Sequence, residues 1–104
     1  MRFGTKTRAG HGDPEATDKA IQNFETALIE TPNDAITIHA LAVMYARKGR
    51  FVRVLELLVP LNDHPSPKTR ELVKSLLLLS YERTGEMLKA AELRAEGVKP
   101  WGML

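Results

Sequence analysis

The sequence predicts an all-α fold: a stack of antiparallel helix hairpins, about five helices in 104 residues. Three observations predict it. From Asp13 onward apolar residues recur at helical spacing, and no alternating run bounded by turn residues signals a strand. Gly49, Gly85 and Gly97 stand where helices should stop. The chain also matches itself at an offset of 34 to 36 residues, a period typical of stacked supersecondary units.

Each element follows from local chemistry. Asp13-Pro14 starts the first helix: Asp accepts from free first-turn N–H groups, and Pro lacks one that would be unpaired anyway. Ala16, Ala20, Ile21, Phe24, Ala27 and Leu28 carry this helix to about Glu30, and Thr31-Pro32-Asn33-Asp34 breaks it and caps the next. The second helix is expected from Ala35 to Lys48, before Gly49. The third starts near Phe51 and should end or kink at Pro60, because Pro removes a hydrogen bond and clashes with the preceding turn. Pro60–Pro65 reads as a linker. Ser66-Pro67 repeats the start signal for a fourth helix to Thr84, and a fifth spans about Glu86 to Glu96. Lys99-Pro100-Trp101 closes the chain, with Trp101 placed to fold back as a plug.

Composition narrows the function classes. Hydrophobic residues are 43% and charged residues 27%, the balance of a globular chain rather than a disordered one. The length suits one domain. There is no cysteine, which excludes disulfides, thiolate metal sites and cysteine nucleophiles. Apolar runs such as Leu76 to Leu79 are far below the roughly 18 residues of a membrane span. Residues 1–12 hold Arg2, Lys6 and Arg8 without an acid and read as a flexible basic arm. They contain no stretch resembling a signal peptide, which favours the cytoplasm. Residues 13–104 read as the folded domain. The net charge of +2 does not by itself imply a nucleic-acid partner.

At an offset of 36, Leu41 falls on Leu77, Tyr45 on Tyr81, Arg47 on Arg83, Gly49 on Gly85, Glu56 on Glu92 and Leu57 on Leu93. At 34, Ala20 falls on Val54, Phe24 on Leu58 and Ala27 on Leu61. Leu41, Ala42, Tyr45 and Gly49, and separately Ala20, Phe24, Ala27 and Pro32, resemble the tetratricopeptide repeat. The last unit agrees at Leu77, Tyr81, Gly85 and Ala90 and departs at Leu78, usually small, and Arg94, usually apolar. The pattern's leading Trp is missing from both complete units. The resemblance covers about residues 13–97. It implies a right-handed α-solenoid of about two and a half repeats, with the first helix of each unit lining a concave surface. Residues 14–30 look like the second half of a unit whose first half is absent. One flank of that helix is expected to be bare, or else the helix caps the stack with Asp18, Glu25 and Glu30 facing water.

Wheel arithmetic at about 100° per residue selects candidates on that implied surface. One stripe of the second helix holds Ile36, Ala40, Val43 and Arg47, with His39 beside it. The matching stripe of the fourth holds Leu72, Leu76, Leu79 and Arg83, with Ser75 beside it. A separate stripe, Leu41 and Tyr45 or Leu77 and Tyr81, points into the hairpin core. An apolar groove with an Arg at the same end of each helix suits an amphipathic helix or extended peptide carrying apolar anchors and an acid. It lacks the Lys and Asn of the carboxylate clamp found in chaperone-binding members of the family.

The remaining constellations read as structural. Arg47-Lys48-Gly49-Arg50-Phe51-Val52-Arg53 is a basic cluster able to meet phosphates, but it reads in the first place as a solvated turn after a helix end. His11, His39 and His64 lack metal-site spacing. Asp63-His64 with Ser66 has no identifiable oxyanion donor, and neither a phosphate loop nor a dinucleotide fingerprint occurs. The expected function is a non-catalytic protein-binding module without cofactor or metal. The alternatives are a homo-oligomeric structural unit and, least favoured, nucleic-acid binding.

Overall fold

The computed structural model describes residues 14–102; the basic arm expected over residues 1–12 and the cap Asp13 lie outside them. Among the described residues the fold is all-helical: α1 (Pro14–Glu30), α2 (Ala35–Arg47), α3 (Phe51–Leu58), a 3₁₀ turn (Val59–Asp63), α4 (Pro67–Arg83) and α5 (Met87–Ala95). None of these helices is long and apolar enough to cross a membrane.

Side chains start the two long inner helices. The Asp34 carboxylate accepts the Ile36 backbone N–H at 3.2 Å and the Thr37 hydroxyl at 2.7 Å. Ser66 Oγ accepts the Thr69 N–H at 3.4 Å, and Pro67 opens α4. One turn then ends both. After α2, the Gly49 N–H bonds to the Ala46 carbonyl and the Arg50 N–H to the Tyr45 carbonyl. After α4, Gly85 and Glu86 bond likewise to Glu82 and Tyr81. This paired closure needs a left-handed residue, supplied by Gly49 at φ +74° and Gly85 at φ +82°.

The core is assembled mainly from α2, α3 and α4. Leu41, Ala42, Val54, Leu58, Val73, Leu77 and Ala90 are fully buried or nearly so, with Tyr45 and Tyr81 almost covered. The stripe assigned to the hairpin core thus lies there. Each Tyr lies under a cation eight residues later: Arg53 sits 5.5 Å from the Tyr45 ring centre and Lys89 sits 5.8 Å from that of Tyr81. At the two departures from the repeat pattern, Leu78 is buried and Arg94 pairs with Glu82 at 2.5 Å. Each helix packs on its chain neighbours, and α2 also meets α4.

One expectation needs correction. Pro60–Pro65 is not a plain linker: Pro60 to Asp63 belong to the 3₁₀ turn, packed against α3 and α4, with Leu61 buried. Pro60 ends the α-helical pairing, but 3₁₀ geometry accepts Pro near its start. The α1 acids Asp18, Glu25 and Glu30 are exposed, and the first two also bond to α2. Tyr45 Oη donates to Glu25 Oε2 at 2.8 Å, and Lys48 Nζ pairs with Asp18. These bonds fasten α1 to α2.

Candidate functional site

The residues selected on α2 and α4 separate into three groups. Ile36 and Leu72, which correspond at the 36-residue offset, are 74% and 39% exposed. Val43 and Leu79, which also correspond, are half-buried and rest against the core. Leu76 is 0% exposed, so no ligand can reach it, and its assignment to the surface is corrected. The wheel treats one side of α4 as open. In the fold α4 packs against α2, α3, the 3₁₀ turn and α5, and the side carrying Leu76 is covered.

The two arginines at the helix ends are exposed. The Arg83 guanidinium lies 5.5 Å from the centre of the Phe51 ring, which brings the end of α4 to the start of α3, four residues after Arg47. Among the described residues neither Arg47 nor Arg83 is ion-paired. The rest of the basic turn is partly neutralised, with Lys48 held by Asp18 and Arg53 by Glu56 at 3.0 Å. A partner carboxylate would meet unpaired guanidinium groups at this end, at a net gain of about 0.2–1 kcal/mol for an exposed pair.

His39 is half-buried, and the Trp101 ring meets it edge-on, with centroids 5.7 Å apart and planes at 69°. The chain therefore returns after α5 to touch α2, as expected of Trp101 as a plug. Burial holds the His39 imidazole below the usual histidine range, because a charged ring loses hydration there. Among the described residues neither His39 Nε2 nor Trp101 Nε1 finds a hydrogen-bond partner, although both atoms are buried.

The same C-terminal segment borders a cleft of about 560 Å³. Pro67, Arg70, Glu71, Lys74 and Ser75 of α4 form one wall, and Glu96–Lys99 form the other. Lys74 and Glu96 bridge the walls at 2.6 Å. Arg70 donates to the His64 and Pro65 carbonyls at 2.6 and 3.1 Å. Sequence reasoning placed Ser75 beside the groove stripe but missed Lys74, Glu96 and Val98. The available signal was Gly97, which turns the chain back after α5.

The face offers apolar area, two guanidinium groups and an imidazole whose pKa burial lowers. His64, set beside Asp63 and Ser66 in sequence, uses Nδ1 to accept the Ser66 backbone N–H at 3.0 Å, a turn-closing role. Among the described residues no three His, Asp or Glu side chains are grouped to hold a metal ion. Comparisons with protein-family models, curated proteins and solved structures found no match for this chain.

Proposed function

We propose that the chain is a non-catalytic repeat module of the tetratricopeptide type, with α2–α3 and α4–α5 as its two hairpins and α1 as a preceding half-unit. The support for this architecture is the repetition of fine geometry at the 36-residue offset. The glycine closures at Gly49 and Gly85 share one bonding pattern, and Tyr45 and Tyr81 each carry a cation eight residues on. On this reading the module binds a segment of another protein across α2 and α4. The carrying observation is that Ile36 and Leu72 stay exposed above half-buried Val43 and Leu79. The chain's own Trp101 indicates what suits the face: an aromatic anchor on a strand-like or irregular segment. An acid on the partner would meet Arg47 or Arg83.

The test is differential capture. Ile36→Glu with Leu72→Glu places charge on the face at exposed positions that the fold tolerates, and Val52→Glu, 63% exposed on α3, is the control. Proteins retained by the wild type and by Val52→Glu should be lost at least tenfold from the double variant. Equal retention by all three removes the face from the binding reading.

A second reading, a self-assembling unit, is favoured by the ends of the fold. Ile29 on α1 is 80% exposed, and Met87 and Leu88 on α5 are 55% and 84% exposed. Stacked arrays with apolar ends are prone to add further copies.

A further inference from the structure

We infer that the C-terminal segment Val98–Trp101 is a resident, displaceable occupant of the α2–α4 face, which a partner segment must eject to bind. The inference rests on the binding reading above and adds its regulation.

The segment is seated as a ligand would be. Val98 and Trp101 pack against the core while Lys99 and Pro100 between them are exposed, so two anchors hold an otherwise open stretch. Little else ties it down. The Val98 N–H bonds to the Leu93 carbonyl, and among the described residues no backbone hydrogen bond to a helix follows it. The contact it makes is also poorly matched. The two rings meet edge-on, and the indole N–H of Trp101 and Nε2 of His39 are both buried without a hydrogen-bond partner among the described residues. Buried polar atoms without partners oppose the state that buries them. A competing segment that fills the indole's place and hydrogen-bonds to His39 Nε2 would keep the apolar contact and remove the mismatch. Tethering offsets this weakness, because a short linker gives the resident segment an effective concentration on the order of millimolar. The result is a seat at His39 filled by default, beside the still exposed Ile36 and Leu72, and opened by a better-matched ligand.

The chain contains one tryptophan, so its emission reports this seat alone. In the intact protein, acrylamide should quench Trp101 at least threefold more slowly than free tryptophan amide; equal quenching overturns the inference without requiring any variant. The binding probe is a labelled synthetic peptide of residues 96–104. It should bind full-length Trp101→Ala saturably and at least tenfold more tightly than the intact chain. Equal binding to both, or no binding to Trp101→Ala, overturns it. The capture experiment separates the two ideas. If Ile36→Glu with Leu72→Glu loses proteins that Trp101→Ala captures no better than the wild type, the binding reading stands and the resident segment does not compete. If the peptide binds as expected while capture ignores the face, the segment has its seat and the binding reading falls.

Discussion

At the scale of single residues, His39 couples the face to pH. Burial lowers its pKa in the fold, so the unfolded chain takes up the proton more readily than the folded one. Stability from this residue is then full above the unfolded value of about 6.5 and falls as pH drops below it toward the lower folded value. Urea denaturation across pH 7.5 to about 4.5 should show wild-type stability declining on the acid side, with His39→Leu declining less. Parallel curves would show that His39 does not carry the effect. The place of His39 beside the selected stripe was legible from the wheel, but the burial that lowers its pKa was not. Trp101, whose ring meets His39 edge-on, is 62 positions away in the chain, and no local pattern encodes which residue it approaches. Asp18 and Glu25 illustrate the same limit. Their spacing on α1 marks a polar face, whereas their pairing with Lys48 and Tyr45 depends on how α1 meets α2.

At the scale of elements, α4 is the helix on which the others converge. It buries Val73, Leu76, Leu77, Leu78, Ser80 and Tyr81, and its inward hydroxyl is satisfied because Ser80 Oγ donates to the Leu76 carbonyl at 2.8 Å. Leu76→Ala should therefore cost about 2–5 kcal/mol, the range for a buried Leu truncation. Leu72→Ala, one turn earlier and partly exposed, should cost less than half as much. Chemical denaturation of the two variants checks the contrast, and equal losses would place both on the same side of the helix. The ends of α2 and α4 were readable because capping and glycine closure are local events. The 3₁₀ turn was not. Pro60 announces a break in either case, and the burial of Leu61 requires α4 to lie alongside, which a linear reading does not supply. The inward turn of Leu76 escaped for a related reason: α4 is apolar around most of its circumference, so periodicity could not select which apolar side stays open.

At the scale of the whole molecule, the order of the helices was legible from the start signals and the Gly turns. How the two ends are finished was not. Exposed Ile29 and Leu88 lie at opposite ends of the helix order, so contacts between them on different copies would run head to tail. Light scattering after size exclusion should show wild-type mass rising with concentration and the Ile29→Glu, Leu88→Glu variant remaining monomeric. A strictly monomeric wild type at high concentration would remove the self-assembly reading. The packing of each helix mainly on its chain neighbours has a kinetic consequence. Most native encounters close short loops, and a topology of this kind folds quickly, on the microsecond-to-millisecond scale of local-contact proteins. The same economy governs disassembly: a helix lost from either end uncovers chiefly its chain neighbour, so the chain unravels like a zipper drawn from its ends.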